Sequence, residues 1–259
     1  MSLKDKRILL TGAAGGIGSL VTERLMQAGA FVTGIDRAEA SECDHTIQGD
    51  LSTPAGIEAI ASEVQQQDWD ILVNLAGIQH FGPAEAQSAS HTAASYMVNL
   101  VAPVMLTQAL LPGMKARGTG QIINIGSVFG SINFAHFATY SSAKAGLKGF
   151  SDALRRELVG LDVGVTYIAP RAVKTALNSG QVLDFARITN MKMDDAADVA
   201  DRIVAAIQRK EKTVYIGFPE SLFVRINAIL PGLVDIALSG NDRKVRGLFD
   251  APTQPVHGN

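Results

Sequence analysis

A tyrosine, a lysine and a serine in the middle of the chain have the types and spacing needed to move a proton. Tyr140 and Lys144 are four residues apart in a segment with helical periodicity, so their side chains share one face of that helix. Ser127 lies 13 residues before Tyr140 and directly follows an apolar run typical of a β-strand. A phenol becomes a useful base at pH 7 only if its pKa falls by about three units, which requires about 4 kcal/mol. A neighbouring ammonium is a source of that stabilisation.

A glycine-rich loop near the N-terminus indicates a binding site for a dinucleotide. The run Arg7–Thr11 has a strand pattern, residues 11–18 read Thr-Gly-Ala-Ala-Gly-Gly-Ile-Gly, and helical periodicity follows. Glycines at such a junction allow the backbone to approach a pyrophosphate, which then faces the free N–H groups of the helix. An ordinary tight turn is the alternative.

Two carboxylates after the glycine loop bear on which dinucleotide is bound. Asp36 lies 18 residues beyond Gly18 and directly after the second strand, where it can accept both ribose hydroxyls of the adenosine and repel a 2′-phosphate. The pattern therefore favours NAD over NADP, although the adjacent Arg37 is suited to a phosphate and a solvated turn residue is the alternative for Asp36. Asp50, after the third strand, is either a partner of the adenine amine or an acid at the start of a helix.

The elements that must position these residues alternate between short apolar strands and longer helical segments. Such alternation predicts a doubly wound parallel sheet of the Rossmann-like α/β class, with helices on both faces and ligands at the carboxyl ends of the strands. Thr53 is the expected N-cap of the second helix, and Pro103 is expected to bend the long helix. The predicted strands are Arg7–Thr11, 31–35, His45–Gln48, Ile71–Asn74, 121–126, 163–169 and Thr213–Ile216, and the predicted helices are 17–28, 54–67, 90–117, 140–160 and 194–210.

Taken together, these motifs resemble the short-chain dehydrogenase/reductase family over roughly residues 5–210. The resemblance is carried by Thr11, Gly12, Gly16 and Gly18, by the segment Asn74-Leu75-Ala76-Gly77, and by Asn99, Ser127, Tyr140 and Lys144. It implies that Tyr140 moves a proton, Ser127 holds the substrate oxygen, Lys144 lowers the pKa of Tyr140 and binds the nicotinamide ribose, and Asn99 anchors a water that relays protons. The implied cofactor-binding set is Thr11, Gly12, Gly16, Ile17, Gly18, Asp36, Asp50, Leu51, Asn74, Ala76, Gly77, Tyr140, Lys144, Pro170, Val173 and Thr175, with no metal.

The chain departs from the family pattern in several places. Leu75 replaces a usual asparagine, Arg171 stands where glycine is common, and the segment between Asp36 and His45 is too short for the usual helix. Arg171 is expected either to contact substrate or cofactor or to be a solvated loop cation. Residues 218–259 form an expected helical extension to the core, 1–217, of a single domain. Its apolar part, 222–238, requires a cover, for which the candidates are its own core, a partner subunit, a substrate tunnel or a peripheral membrane surface.

Composition narrows the range of functions. The 259 residues are 47% hydrophobic and carry a net charge of −2, which gives no basic field for nucleic acid. One cysteine, Cys43, excludes an internal disulfide framework and a thiolate-rich metal site. The N-terminal residues lead straight into a strand without a signal-peptide pattern, so a cytoplasmic location is expected, with peripheral membrane contact through 222–238 as a further expectation.

The sequence thus predicts an NAD-dependent enzyme that interconverts a secondary alcohol and a ketone. The expected substrate is apolar, because Phe129, Phe134, Phe137, Leu177, Val182, Leu183 and Phe185 lie near the site in sequence and 222–238 is suited to cover it. The alternatives are an NADPH-linked 3-oxoacyl-thioester reductase and a non-catalytic cofactor-sensing scaffold. A homodimer or homotetramer is expected through the helices at 90–117 and 140–160.

Overall fold

A computed structural model describes residues 1–249, in which seven parallel strands form one sheet. The strand order is β3-β2-β1-β4-β5-β6-β7, so the chain reverses its direction of winding between β1 and β4. This topology confirms the predicted doubly wound α/β fold. The strands are β1 Arg7–Thr11, β2 Phe31–Asp36, β3 His45–Gln48, β4 Ile71–Asn74, β5 Gly120–Ile125, β6 Val163–Pro170 and β7 Thr213–Ile216.

Helices cover both faces of this sheet and bury its apolar strands. On one face α1 packs against α7, and on the other face α2 packs against α4. Thr53 caps α2 as predicted, since its side chain accepts a hydrogen bond from the Gly56 N–H. The helices are α1 Gly18–Gln27, α2 Pro54–Val64, α3 Ala89–Tyr96, α4 Ala102–Arg117, α5 Ala138–Glu157, α6 Gln181–Thr189, α7 Ala196–Arg209, α8 Glu220–Ile229 and α9 Pro231–Arg246.

The irregularity predicted at Pro103 lies one turn earlier than expected. A π-helical turn, Met97–Val101, joins α3 to α4, and Pro103 occupies the first turn of α4. Proline offers no N–H to the carbonyl four residues before it, and its ring crowds that carbonyl, which here belongs to Asn99. The wider π turn accommodates this clash, so the distortion appears around Asn99 and the proline sits in regular helix.

The 29-residue helical run Ala89–Arg117 is long and apolar enough to cross a membrane by length and composition alone. However, it packs against α2 and α5, and it contains Asn99, which is fully buried. The run therefore has the character of a core helix.

The C-terminal extension is helical as predicted but is divided into two helices. Leu230 adopts φ −133° and ψ 65° directly before Pro231, because a residue that precedes proline is excluded from the helical region. Val224 and Val234 pack on Val128 and Ile132, whereas the residues around the junction are exposed. The segment therefore covers the loop after β5 on one side and presents apolar side chains outward on the other. The boundaries of the core at 217 and of the single domain stay predictions, and residues 250–259 of the predicted extension lie outside the described residues.

Candidate active site

A cavity of about 610 Å³ lies at the carboxyl ends of the strands, where the winding reverses. It brings together residues from the loops after β1, β2, β3, β4, β5 and β6, as well as from α5. The predicted site residues that line it are Gly12, Gly16, Ile17, Asp36, Asp50, Leu51, Ala76, Gly77, Ser127, Tyr140, Lys144, Pro170, Val173 and Thr175.

The glycine loop has the backbone conformation that a phosphate cradle requires. Gly12 adopts φ +76°, and a Cβ atom there would lie 2.8 Å from the Ala76 Cα atom. A Cβ atom on Gly18 would lie 1.9 Å from the Gly12 carbonyl oxygen. Glycine is therefore required at both positions, because the loop lies against both the 74–77 loop and the start of α1.

Asp36 is held at the end of β2 and faces the cavity. Its carboxylate accepts hydrogen bonds from the backbone N–H groups of Ala14 at 3.1 Å and Arg37 at 2.7 Å. These bonds fix the acid beside the glycine loop, where the adenosine ribose is expected. Arg37 also lines the cavity. The Asp50 carboxylate accepts hydrogen bonds from the Ser52 N–H and hydroxyl, which lower the pKa of Asp50.

Gly126 and Gly130 allow the loop that carries Ser127 to pack closely against β6 and α5. A Cβ atom on Gly126 would lie 2.2 Å from the Tyr167 ring, and one on Gly130 would lie 2.6 Å from the backbone of Lys144. The loop therefore lies directly on the helix that carries the tyrosine and the lysine. The Ser127 hydroxyl accepts a hydrogen bond from the Phe129 N–H at 3.1 Å, which leaves its own proton available to a substrate oxygen.

Tyr140 and Lys144 are both buried, and burial shifts their pKa values in opposite directions. It raises the pKa of Tyr140 to about 12, against a smaller effect of the Ser127 hydroxyl, and lowers the pKa of Lys144 to about 8. The Lys144 ammonium lies 5.8 Å from the centre of the Tyr140 ring and donates a hydrogen bond to the Ile125 carbonyl at 3.0 Å. Within the described residues this ammonium has no carboxylate partner. It is thus a buried positive charge close to the tyrosine ring.

Asn99 lies behind this pair, in the π turn. Its amide nitrogen donates to the carbonyls of Ile78 at 2.7 Å and Ser95 at 2.9 Å. Its side-chain oxygen is buried without a hydrogen-bond partner among residues 1–249. A Cβ atom on Gly77 would lie 3.1 Å from this oxygen and 3.6 Å from the Lys144 nitrogen. Both polar atoms therefore face the same small space, which only a glycine at position 77 leaves open.

Four of the predicted site residues are near the cavity but do not line it. The Thr11 hydroxyl accepts hydrogen bonds from the N–H groups of Leu75 and Ala76, and Asn74 donates to Asn124 at 2.9 Å. These contacts position the 74–77 loop. The four residues are Thr11, Gly18, Asn74 and Asn99, which lie directly behind the residues that line the cavity.

The expectation that Arg171 is a solvated loop cation is wrong, whereas its contact with substrate or cofactor stays a prediction. Its guanidinium forms ion pairs with Asp194 and with Glu220, the latter at 2.9 Å, and it donates to the Phe218 carbonyl at 3.0 Å. The three charged side chains are at most 18% exposed. Arg171 therefore ties the end of β6 to the start of α8 while its flank lines the cavity.

Several cavity residues carry no signal in the sequence. Gln79 donates hydrogen bonds to the Leu177 carbonyl at 2.6 Å and to the Asn178 side chain at 3.0 Å, which joins two loops across the cleft. These contacts depend on how distant loops meet, which residue type and spacing do not reveal. The other lining residues that the sequence did not single out for a site are Gly15, Ile35, Gly49, Ser52, Ile78, Ala94, Val98, Ile125, Gly126, Ala172 and Ala176.

The predicted apolar substrate wall is only partly present. Phe129 and Leu177 line the cavity. Phe134, Phe137, Val182 and Phe185 do not line it and pack behind Phe129 and Tyr140 in one apolar cluster, and Leu183 is 46% exposed. No residue of 222–238 lines the cavity, so the expectation that this segment covers the pocket is wrong. Aromatic side chains bury large areas when they pack on one another. A group of aromatic residues in the sequence therefore fits a packed core as well as it fits a pocket wall.

The residues fit the nicotinamide dinucleotide that the sequence predicts. Gly12 and Gly18 leave a cradle that a Cβ atom would fill, and Asp36 presents a carboxylate to the expected ribose position. Beside Gly77, the Asn99 oxygen and the Lys144 ammonium can each form a further hydrogen bond.

Comparisons with known proteins agree with this geometry. The family model described as short chain dehydrogenase matches residues 6–184. The chain is 31% identical to the ketoacyl reductase HetN of Nostoc sp. strain PCC 7120, over 90% of this chain and 88% of that one. It is 32% identical to the 3-oxoacyl-[acyl-carrier-protein] reductase FabG of Vibrio cholerae, over 78% of this chain and 90% of that one.

A solved structure shows the same architecture. The crystal structure of a putative NAD(P)-dependent gluconate 5-dehydrogenase from Beutenbergia cavernae, with bound NADP at low occupancy, superposes with a TM-score of 0.73. It is 27% identical and covers 83% of this chain and 96% of that one. The fold, the cavity and the family match lead to one conclusion: the chain belongs to the short-chain dehydrogenase family of oxidoreductases.

Proposed function

We propose that the protein is an NAD-dependent enzyme that interconverts a secondary alcohol and a ketone with an apolar body. The observation that carries this proposal is the convergence of Ser127, Tyr140 and Lys144 on one cavity, with the lysine ammonium 5.8 Å from the centre of the tyrosine ring. A cofactor-sensing scaffold needs the glycine loop but gains nothing from a buried phenol beside an unpaired ammonium.

The chain's own residues account for the proton transfer. The nicotinamide, when bound, supplies the hydride acceptor or donor. During oxidation the Tyr140 oxygen takes the proton of the substrate hydroxyl, while Ser127 holds the substrate oxygen. Lys144 stabilises the tyrosinate by its charge, and the space between Lys144 and the Asn99 oxygen is the place from which the site exchanges protons with solvent.

The apolar substrate is supported by the apolar side chains that line the cavity. Phe129 lies beside the reacting tyrosine, with ring centres 6.4 Å apart, and Val98, Ile78 and Leu177 also line the cavity. Arg171 is neutralised by its two carboxylate partners. The cavity residues Asp36, Arg37 and Asp50 carry charge at the opposite, adenosine end. A small charged substrate would find little to bind it at the reacting end.

A series of secondary alcohols of increasing chain length tests this proposal, with the matching ketones for the reverse reaction. Each added methylene that enters the pocket contributes about 0.8 kcal/mol, or about fourfold in affinity. We therefore expect kcat/KM to rise severalfold per carbon, followed by the absorbance of the reduced nicotinamide. A flat profile, or a preference for a small charged substrate, would refute the apolar pocket but leave the chemistry intact.

The preference for NAD is part of the proposal. The Asp36 carboxylate is oriented by backbone N–H groups toward the cavity, and it opposes a 2′-phosphate. Because Arg37 lines the same end and one solved relative was crystallised with NADP, the assay includes both cofactors. Equal kcat/KM values with the two cofactors would contradict the preference.

A second candidate is reduction of 3-oxoacyl thioesters with NADPH. It is favoured by the exposed Arg37 at the adenosine end and by the names of two relatives, a ketoacyl reductase and a 3-oxoacyl-[acyl-carrier-protein] reductase. Acetoacetyl thioesters assayed beside simple ketones distinguish the candidates, since only a thioester reductase reduces the thioester much faster.

Assembly through α4 and α5 is also proposed. Both helices have partly exposed apolar positions, including Met105 on α4 and Phe150 on α5. We expect light scattering to give a particle of at least twice the 27.4 kDa chain mass. A monomer at micromolar concentration would contradict this assembly. A cytoplasmic location stays a prediction.

A further inference from the structure

The junction of α8 and α9 exposes an unusual concentration of apolar side chains. Ile229 is 78% exposed, Leu230 57%, Leu233 56% and Ile236 74%. Seven of the fourteen exposed large hydrophobic side chains in residues 1–249 lie between Phe218 and Ile236. We refer to residues 228–237 as the apolar tip. Contiguous apolar surface of this kind marks an interaction site.

The charges around the apolar tip are mainly positive. Four of the five exposed charged side chains on α8 and α9 are cations, namely Arg225, Arg243, Lys244 and Arg246, and Asp235 is the exception. The two acids of these helices that are not exposed are Glu220, which pairs with Arg171, and Asp242, which is half-buried beside His136. A second copy of the chain that docked on this tip would meet the same excess of cations, whereas an anionic lipid surface would be complementary to it.

The position of the cations along the two helices also fits a lipid surface. Arg225 precedes Ile229 by four residues, about 6 Å along α8, and Arg243 follows Ile236 by seven residues, about 10 Å along α9. Amphipathic helices at membrane surfaces bury their apolar part about 5–10 Å deep. With the tip at that depth, the cations reach the level of the phosphate headgroups.

The helix pair is anchored next to the reacting end of the cavity. Asn227 donates a hydrogen bond to the Ser131 carbonyl at 2.8 Å, and Val224 packs on Val128, which follows Ser127. The outward face of the pair is therefore free, while the inward face is fixed to the loop that carries the site serine.

From these observations we propose that the apolar tip inserts into an anionic lipid surface and holds the enzyme there as a peripheral membrane protein. The surface is bound by the exposed side chains of Ile229, Leu230, Leu233 and Ile236 and by the cations Arg225, Arg243 and Lys244. This inference does not depend on the identity of the substrate.

Co-sedimentation of the full chain with vesicles tests the proposal. Vesicles of phosphatidylcholine with about 30% phosphatidylglycerol, which have a negative surface potential, are compared with vesicles of phosphatidylcholine alone. We expect binding that is stronger to the anionic vesicles and weakens with salt. The double variant Ile229→Asp/Leu233→Asp should reduce binding at least about 100-fold, since each apolar side chain contributes at least about tenfold. The variant Arg243→Gln/Lys244→Gln should lose about fivefold per cation on anionic vesicles only.

A matched control replaces an exposed apolar residue elsewhere. Val159, which is 80% exposed and lies two residues beyond the end of α5, should tolerate Val159→Asp without loss of vesicle binding. Turnover in solution and the thermal transition report whether each variant is folded. Absence of vesicle binding by the parent chain would overturn the proposal. So would a tip variant that loses dimers in light scattering but binds vesicles like the parent, because the tip would then be a contact between copies.

Discussion

The charge of Lys144 is expected to set the pH range in which the enzyme oxidises alcohols. Burial raises the pKa of Tyr140 to about 12, so operation near pH 7 requires a decrease of about five pKa units, or about 7 kcal/mol. At the 5.8 Å that separates the Lys144 ammonium from the centre of the tyrosine ring, two unit charges interact by about 3 kcal/mol with an effective dielectric constant of about 20. The lysine therefore supplies about two of the five units.

Replacing Lys144 with methionine keeps an unbranched side chain that is one atom shorter and removes its charge. The profile of kcat/KM for alcohol oxidation against pH, measured at saturating cofactor, should move to higher pH by about two units. At pH 7 the variant should be about 100-fold slower. Because burial lowers the pKa of Lys144 to about 8 in the cofactor-free protein, the difference should shrink as the pH rises above that value.

The matched control is Lys148→Met. Lys148 lies one turn further along α5, is partly exposed and pairs with Asp152 at 2.8 Å, so its replacement should leave the profile in place. A Lys144→Met profile at the parent's pH, with a higher KM for the cofactor alone, would refute the electrostatic argument. The lysine would then act only by binding the ribose.

Other substitutions test separate parts of the site. Tyr140→Phe should lower kcat by about 10²–10⁴-fold, measured by steady-state turnover, and leave cofactor affinity unchanged in a fluorescence titration; activity within tenfold of the parent would show that another group moves the proton. Lys144→Met should raise the free energy of unfolding of the cofactor-free protein by up to about 3 kcal/mol at pH 7, measured by urea denaturation, because the buried ammonium holds its proton more weakly than the same group in the unfolded chain. This gain should disappear as the pH rises from about 8 to about 10.5, and an unchanged free energy of unfolding at pH 7 would contradict the prediction. Asp36→Ala should raise kcat/KM for NADP relative to NAD by about tenfold, and an unchanged ratio would show that the carboxylate does not select the cofactor. Arg171→Met should destabilise the fold by about 3 kcal/mol, since it leaves Asp194 and Glu220 without their partner, whereas Lys174→Met at an exposed pair should have little effect.

The sheet and the site constellation were predictable because they rest on local patterns. The apolar strands, the glycines around Gly12 and the one-turn spacing of Tyr140 and Lys144 are readable without knowing which elements meet in space. The strand ends then converge at one edge, since all seven strands are parallel. The fold, and the meeting of the glycine loop with Ser127, Tyr140 and Lys144, follow from these features.

What the sequence did not reveal depends on contacts between distant segments. Arg171 has two carboxylate partners that lie 23 and 49 residues away, so its role was not readable from its neighbours. Phe137 and Phe185 looked like a pocket wall and are instead packed on each other. The Gln79 side chain donates a hydrogen bond to the Asn178 side chain on the other side of the cleft, and no local sequence pattern indicates this contact.

The π turn at Met97–Val101 adds one residue to the helical run within a single widened turn. Deletion of one residue there would restore a continuous α-helix in which α3 and α4 keep nearly the same faces, so Tyr96 would still contact the Ser142 hydroxyl on α5, which lies 2.8 Å from its own. Asn99 would lose the local geometry that brings its buried oxygen to the space beside Gly77 and Lys144. The deletion variant should therefore fold like the parent and lose activity, whereas the same deletion within the regular part of α4 should disturb the fold.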